Sequence, residues 1–329
     1  MPAPLYDVVG LGNAIVDVLS PMDDDVLLDR LGLAKGSMRL CDEATAASIY
    51  GSMGPATEAS GGSAANTMAG IASFGGRAAF VGKVRDDQLG SVFAHDIRAA
   101  GVEFTSPPSA DGPPTGRCLV FISPDAQRTM NTFLGVAGLL GPDDVPDEMV
   151  AAAQVTFLEG FLWEEPPAKA AMLRAIDVAH GHGRQVALSL SDSFCVERNL
   201  ADFVALVEGP VDVVFGNEDE VCALFSVGSF DEAVSAVQGC GLAVAALTRG
   251  AKGSVLVAGD RVEEIAAAPV DEVVDTTGAG DLYAAGVLFG LTHGLDLAEA
   301  GRLGSLAAAE VISHVGARPE RSLSELAGF

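Results

Sequence analysis

The chain has 329 residues, of which 49% are hydrophobic, and its formal net charge at pH 7 is −26. This length and apolar content suffice for one large domain, whereas the negative charge argues against binding to nucleic acid or to an anionic membrane surface. No apolar run is long enough for a transmembrane helix, and the first residues lack the basic and apolar regions of a signal peptide. The five cysteines are scattered without C-x-x-C spacing, which favours reduced thiols. We therefore expect a cytoplasmic protein without a membrane or nucleic-acid partner.

The chain opens with a short apolar segment that is followed by two polar side chains. Residues 5–11 are rich in β-forming residues and predict a buried strand, and Asn13 and Asp17 come just after it. Because ligands of α/β proteins bind at the carboxyl ends of strands, we expect both side chains near a ligand. The carboxylate of Asp17 suits a pair of sugar hydroxyls, but a carboxylate that only completes a turn would give the same pattern.

A glycine turn leads into the next predicted helix. Gly61 and Gly62 precede a helix that extends to about residue 74, and Asn66 lies in its first turns. We expect the two glycines to let a substrate touch the backbone, with Asn66 as a hydrogen-bond donor. The structural alternative is an ordinary helix start that Ser63 caps.

Three segments predict a second, smaller sheet. Residues 36–41 and a hairpin within 115–134 do not alternate with helices. Together with residues 14–20 they predict a small β-sheet that lies over the main domain as a lid. Exposed strand edges near 116–134 would allow the lids of two subunits to pair, so a monomer and a homodimer both stay open.

From residue 155 onward, strands and helices alternate regularly. The predicted strands of this region are 155–158, 185–190, 211–215 and 242–248, with helices between them. The alternation predicts an α/β fold in which helices cover both faces of a mostly parallel sheet. We assign residues 1–329 to one domain.

The stretch from Asp275 to Leu288 carries the strongest functional signal. Gly278 and Gly280 lie in a turn that becomes a helix, so backbone N–H groups at the positive end of the helix dipole can bind an anion. Asp281 stands at the edge of this anion site, where a carboxylate is unfavourable unless it acts as a base. The pattern indicates phosphoryl transfer to a hydroxyl group, with Asp281 taking the proton. The alternative is that Asp281 only caps the helix.

Two further polar segments follow later strands. Asn217 and Glu220 begin a predicted helix, where acidic residues interact favourably with the positive end of the helix dipole. Their functional interpretation is that they hold a hydrated Mg²⁺ ion. Thr248, Gly250 and Gly253 form a turn that is either a plain hairpin or a loop facing a nucleotide.

The order of these segments resembles the ribokinase-like (PfkB-type) family of carbohydrate and nucleoside kinases. Segments 61–90 and 275–288 are similar to the two signature regions of that family, and the resemblance covers nearly the whole chain. It implies a three-layer α/β/α domain with a small β-sheet lid, and transfer of a phosphoryl group from Mg²⁺-ATP to a hydroxymethyl group. Some relatives also bind a monovalent cation, for which Asp275 and the loop 313–318 are the matching positions, so K⁺ is a candidate cofactor.

By position, the resemblance also implies a role for each candidate residue. The implied base is Asp281, and the implied anion hole is the backbone of Gly278, Ala279 and Gly280. The residues implied to face the acceptor are Asn13, Asp17, Gly61, Gly62 and Asn66. The residues implied at the ATP site are Asn217, Thr248, Gly250 and Gly253, with Glu220 near Mg²⁺ through water.

Within the family, the segment from Gly12 to Asp17 is more similar to adenosine kinases than to ribokinase. We therefore expect phosphorylation of a nucleoside 5′-hydroxyl, with adenosine as the leading candidate and AMP as the product. Phe161 and Trp163 are candidates for a base pocket or for ordinary core. The alternative is a kinase of ribose, fructose or a related sugar. Two other classes are a non-catalytic ligand sensor, which would need no base, and a dinucleotide oxidoreductase, whose glycine fingerprint is incomplete here.

Overall fold

The computed structural model describes residues 3–125 and 127–329. Residues 1, 2 and 126, which the predicted domain 1–329 and the predicted segment 115–134 include, lie outside this described part. The strands are β1 Tyr6–Leu11, β2 Ile15–Pro21, β3 Met38–Leu40, β4 Thr57–Gly61, β5 Ala78–Val81, β6 Thr115–Ile122, β7 Arg128–Gly135, β8 Ala153–Glu159, β9 Gln185–Ser189, β10 Val213–Asn217, β11 Val244–Thr248, β12 Ser254–Ala258 and β13 Arg261–Ile265. The α-helices are α1 Val26–Leu31, α2 Glu43–Tyr50, α3 Ser63–Ser73, α4 Gln88–Ala99, α5 Asp147–Ala151, α6 Pro166–Gly181, α7 Ser193–Arg198, α8 Leu200–Val207, α9 Glu218–Phe225, α10 Phe230–Gln238, α11 Ala279–Thr292, α12 Leu297–Val311 and α13 Leu323–Ala327.

Eight strands form a large sheet in the order β13-β12-β11-β10-β9-β8-β1-β5. All neighbouring strands pair in parallel except where β12 meets β11 and β13. The central strands are almost continuously apolar because helices cover both faces of the sheet. The predicted α/β fold with a mostly parallel sheet is therefore confirmed.

Two hydrophobic cores lie on the two faces of this sheet. Val9 of β1 packs into the core beneath α6 to α10, and its neighbour Val8 packs into the opposite core with α3, α11 and α12. Helix α11 is buried on almost all sides, because it lies between α3 and α12. At Gly286 the contact with α12 is so close that a Cβ atom would lie 2.4 Å from the backbone nitrogen of Gly304. This packing holds the start of α11 firmly against the edge of the large sheet.

The other five strands form a small sheet in the order β3-β7-β6-β2-β4. Helices α1 and α2 cover its outer face, where Leu28 and Ile49 pack against Leu119 and Phe121. The sequence does not predict strand β4, since Gly61 at its end has the character of a turn residue. The expectation of exposed edges near 116–134 is wrong, because β6 and β7 are interior strands and the edges are β3 and β4.

Several smaller predictions also need correction. The sequence also predicts one helix over about 197–207 and a short strand at 102–104. The structure has two helices instead of one, α7 and α8, and an isolated bridge between Ala79 and Glu103 instead of the strand. Helix α13 is absent from the sequence-based prediction. All five cysteines have free thiols, as expected. Within the described part of the chain, no helix has the length and apolar character needed to span a membrane.

Candidate active site

A cavity of about 1090 Å³ opens between the large and the small sheet. The carboxyl ends of β1, β8, β10 and β11 form its floor, the start of α11 forms one wall, and the inner face of the small sheet forms the roof. A cavity of this size at the carboxyl edge of a parallel sheet is the expected position for the ligands of an α/β enzyme. It is large enough to hold two small molecules side by side.

Asp281 lies in the first turn of α11 and points into this cavity. The N-cap of α11 is Gly278, which has no side chain, so the alternative that Asp281 caps the helix is wrong. Its carboxylate instead accepts two hydrogen bonds from α3: the Ser63 hydroxyl donates to Oδ1 at 2.6 Å, and Asn66 Nδ2 donates to Oδ2 at 2.9 Å. Burial raises the pKa of Asp281, and these two hydrogen bonds oppose that rise.

The turn before α11 has the shape of an anion site. Gly278 has a φ of 78°, and a Cβ atom there would lie 2.8 Å from the carbonyl oxygen of Ala317, so only glycine fits. Gly280 has open space where a Cβ atom would point. The N–H group of Ala279 makes only a 3.3 Å contact with the carbonyl of Thr276. All three backbone positions of the predicted anion hole line the cavity.

Asp275 holds this turn in place from behind. Its carboxylate accepts the N–H groups of Thr277 at 2.9 Å and Gly316 at 2.8 Å, and it pairs with the guanidinium of Arg128 from β7. The position proposed for a monovalent cation, Asp275 with the loop 313–318, therefore has a guanidinium beside it. Sequence reasoning missed Arg128 altogether.

At the other end of the cavity, Asn13 is bound to a carboxylate that the sequence did not single out. Asn13 Nδ2 donates to Glu159 Oε1 at 2.7 Å, and the N–H groups of Asn13 and Ala64 donate to Oε2 at 3.3 and 2.9 Å. The Oδ1 atom of Asn13 is buried without a partner. Burial raises the pKa of Glu159 to about 7. The Oδ1 atom of Asn13 is thus free to accept a hydrogen bond, whereas its Nδ2 group is taken up by Glu159.

Asp17 lies on β2 and also lines the cavity. Burial raises its pKa to about 7, although the charges of Arg128 and Arg318 lower it. Gly61 at the end of β4 and Gly62 just after it make room for these polar groups. A Cβ atom at Gly61 would lie 2.3 Å from Asp17 Oδ2, and one at Gly62, where φ is 95°, would lie 2.2 Å from the carbonyl oxygen of Asn13. Gly62 also lines the cavity, and the expectation that the two glycines let a substrate touch the backbone stays a prediction.

Asn217 and Glu220 form a reciprocal capping box at the start of α9. Asn217 Oδ1 accepts the Glu220 N–H at 2.9 Å, and Glu220 accepts the backbone and side-chain N–H groups of Asn217 at 2.9 and 2.6 Å. The structural interpretation of this pair is thus correct, and both residues line the cavity as well. Burial raises the pKa of Glu220 to about 7, and the charges that act on it, those of Asp192, Asp219 and Asp281, are all acidic. A divalent cation bound through water fits such a site.

Thr248 and Gly250 line the cavity beside Asn217. Gly253 is buried outside the cavity wall: its φ is 86°, and a Cβ atom there would lie 2.0 Å from the carbonyl oxygen of Ile265. Glycine at 253 is therefore required by the hairpin of β12 and β13, which was the structural alternative for this turn.

The two aromatic candidates for a base pocket differ. Phe161 lines the cavity. Trp163 is 4% exposed, packs edge-on against Phe203, and donates its indole N–H to Asp202 at 3.0 Å. Trp163 therefore belongs to the core, and its interpretation as part of a base pocket is wrong.

The fold and the site together define an ATP-dependent phosphotransferase of small molecules: a buried carboxylate, an adjoining helix N-terminus and a cavity for two ligands. Residues 53–323 match the pfkB family of carbohydrate kinases. The chain belongs to this family, and it is accordingly a kinase that acts on a sugar or a nucleoside.

Individual relatives differ in their acceptors. The 5-dehydro-2-deoxygluconokinase of Bacillus subtilis is 30% identical over 261 residues, which are 77% of this chain and 80% of that enzyme. The structure of an adenosine kinase from Sinorhizobium meliloti is 50% identical with a TM-score of 0.94, and that of a probable sugar kinase from Rhizobium etli is 46% identical with a TM-score of 0.95; each alignment covers 98% of both chains. These similarities do not decide which acceptor this enzyme phosphorylates.

Proposed function

We propose that this enzyme transfers the γ-phosphate of ATP to the 5′-hydroxyl of adenosine and so forms AMP. The observation that carries the proposal is the set of apolar side chains in the roof of the cavity, which lies beside the polar Asp17, Arg128 and Thr132. It is formed by the small sheet and includes Ile15, Met38, Leu40, Met130 and Leu134. A free sugar is polar on all sides and gains little from such a surface, whereas a purine base buries two apolar faces against it. The 50% identity to the Sinorhizobium meliloti adenosine kinase supports the same acceptor.

In the proposed reaction, Asp281 accepts the proton of the acceptor hydroxyl while that oxygen attacks the γ-phosphorus of ATP. The bond from the γ-phosphorus to the bridging oxygen breaks, ADP leaves, and the proton later passes from Asp281 to solvent. The backbone from Gly278 to Gly280 faces the transferred group, where the start of α11 stabilises its negative charge. Asp17 and the free Oδ1 of Asn13 bind hydroxyl groups of the acceptor. The small sheet acts as a lid that excludes water from the reacting groups.

We further propose that Mg²⁺ binds with ATP at Glu220 through water. When bound, the ion supplies positive charge to the phosphates in a cavity that is otherwise rich in carboxylates. Glu220→Gln is expected to raise the Mg²⁺ concentration needed for half-maximal activity. The cytoplasmic location stays a prediction, as does the oligomeric state; a homodimer would join edge strands, β3 or β4, of two small sheets.

ADP release from Mg²⁺-ATP tests the acceptor directly. The panel is adenosine, inosine, cytidine, ribose, fructose, fructose 6-phosphate and 5-dehydro-2-deoxygluconate. Turnover of adenosine at micromolar concentration, with none of the sugars, is the expected result. Turnover of a sugar alone would overturn adenosine and favour the second candidate, a sugar kinase, which the likeness to the 5-dehydro-2-deoxygluconokinases supports.

A substitution of the base tests the mechanism. Asp281→Asn is expected to lower kcat by roughly 10²–10⁴-fold, because the general base is lost while the shape is retained. Asp260→Asn, in the exposed turn between β12 and β13, is the matched control and should leave kcat unchanged. Wild-type kcat in the Asp281 variant would refute the assignment of the base.

A further inference from the structure

Both carboxylate oxygens of Asp281 are held by the neighbouring helix α3. Ser63 is the first residue of α3 and Asn66 lies three residues on, so their side chains project from the same face of the helix. Ser63 reaches Oδ1 and Asn66 reaches Oδ2. We call Ser63 and Asn66 the α3 clamp.

The side chain of Ser63 does not cap its own helix. The N-cap of α3 is Gly62, which has no side chain to cap with, and the N–H of Ala64 is bound by Glu159 from β8 instead. A serine at a helix start normally caps that helix. Here its hydroxyl is directed at Asp281, at the 2.6 Å expected of a short, charge-assisted O–H···O⁻ hydrogen bond.

The orientation of Asn66 is set by Arg318 in the segment after α12. Arg318 Nε lies 3.5 Å from Asn66 Oδ1, and a guanidinium can only donate, so the amide oxygen must face Arg318. The amide NH₂ group then faces Asp281. A reversed amide would place two donors against each other and an oxygen against the carboxylate.

We propose that Ser63 and Arg318 are positioning residues for the base of phosphoryl transfer, Ser63 directly and Arg318 through Asn66. This inference rests on the proposed function, in which Asp281 is that base. The clamp occupies one lone pair on each oxygen and fixes the plane of the carboxylate, so the remaining lone pairs face the acceptor. It also favours the ionised form of Asp281, which is the form that can take a proton.

Other carboxylates share the cavity with Asp281. Asp17 from β2, Glu159 from β8 and Glu220 from α9 all act on the same cavity, and the charge of Asp281 raises the pKa of each. On the cationic side, Arg318 lies behind Asn66. Among the described residues, three cations line the cavity, and each is paired with a carboxylate: Arg128 with Asp275 behind the anion site, Lys35 with Asp25 and Asp125, and Arg198 with Glu164.

Loss of the Ser63 donor removes a hydrogen bond that lowers the pKa of Asp281. The pKa of Asp281 then rises. As the pH is lowered, Asp281 therefore becomes protonated, and unable to act as a base, at a higher pH than in the wild type. Ser63→Ala should therefore move the acid limb of the kcat–pH profile to higher pH and lower kcat at neutral pH by roughly 10–100-fold. Ser63→Thr, which keeps the hydroxyl, should restore both.

The experiment measures kcat and KM with adenosine from pH 5 to 9 for Ser63→Ala, Ser63→Thr and Arg318→Gln. The controls are Ser91→Ala in the exposed face of α4 and Arg302→Gln in α12. Arg318→Gln should move the acid limb in the same direction by a smaller amount, and KM for ATP should change by less than about twofold. An acid limb that stays in place in Ser63→Ala, at any level of kcat, would overturn the inference, since a purely structural role lowers activity without moving the limb.

Failure of the proposed function gives a different result. In that case the wild-type enzyme turns over a sugar, with which the same pH profiles are then measured, or it turns over no acceptor of the panel. The same variants are then compared by their slow hydrolysis of ATP, in which water takes the place of the acceptor and Asp281 still takes the proton. A shift of the acid limb in Ser63→Ala supports the positioning role there, and an unmoved limb overturns it.

Discussion

Arg128 of the small sheet and Asp275 in the segment before α11 form a buried ion pair. Their side chains are only 6% and 1% exposed. Burial lowers the pKa of Arg128 to about 10, which still leaves it charged at neutral pH. Because Asp275 also holds the turn that leads to Asp281, this pair links the position of the small sheet to the anion site.

Breaking this pair is expected to destabilise the protein strongly. Arg128→Met leaves the carboxylate of Asp275 buried without its cation and should lower the free energy of unfolding by about 3–5 kcal/mol in urea titrations. Arg302→Met, at an exposed pair with Glu299, is the control and should change stability little.

A double-mutant cycle with Asp275→Asn shows whether the two side chains act together. The double variant should be clearly more stable than the sum of the two single effects predicts, because neither charge is then left alone. Simple additivity would contradict a coupled pair.

Substitution by alanine is expected to have different effects at Gly278 and at Gly280. Gly278→Ala forces a left-handed backbone on alanine, which costs about 1–2 kcal/mol, and adds a clash with Ala317, so both stability and activity should fall. Gly280→Ala meets no atom within 4 Å, so the melting temperature should stay near the wild-type value. Its methyl group projects toward the anion site, so KM for ATP should rise. Equal melting temperatures for the two variants would contradict this account of the turn.

Substitutions of Phe161 and Trp163 are predicted to have different effects, the first on acceptor binding and the second on stability. Phe161→Ala removes an aromatic wall of the cavity, worth about 1.5 kcal/mol, and should raise KM for the nucleoside about tenfold with little change in stability. Trp163→Ala opens the core and should lower the free energy of unfolding by about 3–5 kcal/mol without a matching change in KM. Michaelis constants and urea titrations of both variants check this. An unchanged KM in the Phe161 variant would remove Phe161 from the acceptor pocket.

The parts of the site that the sequence predicted well are contiguous in the chain. The turn and helix from Asp275 to Leu288 contain the glycines and the carboxylate within a few residues, so their chemistry can be inferred without a fold. The contacts that were missed join distant segments. Ser63 and Asp281 are 218 residues apart, and Asn13 and Glu159 are 146 residues apart.

The errors in the predicted fold have a similar cause. Strand β4 reads Thr-Glu-Ala-Ser-Gly, which has few β-forming residues, and it is a strand because β2 pairs with it. The regular alternation of strands and helices after residue 155 was predicted correctly, because its strands are apolar enough to be recognised from the local sequence. Tertiary pairing, which a local pattern does not contain, decides the rest.

Glu159 is predicted to make stability depend on pH in an unusual direction. Its pKa is about 7 in the folded protein, against 4.5 for a glutamate in an unfolded chain, so the folded state holds the proton more tightly. Its contribution to stability is therefore complete below pH 4.5 and is lost as pH rises to 7, by on the order of 3 kcal/mol.

The comparison with Glu159→Gln isolates this effect from the large net charge of the chain. The difference in free energy of unfolding, wild type minus variant, should fall between pH 5 and 7.5. A difference that stays constant over this range would show that Glu159 does not titrate there.

The small sheet joins the body of the protein next to residues that we propose bind the acceptor. Asn13 lies in the short link between β1 and β2, and Gly62 lies between β4 and α3. Any tilt of the small sheet must therefore move Asn13 and Asp17, and if these residues bind the acceptor as we propose, a bound acceptor would bias that tilt. On this proposal, the acceptor rather than ATP would bring the small sheet into the position in which phosphoryl transfer is fast.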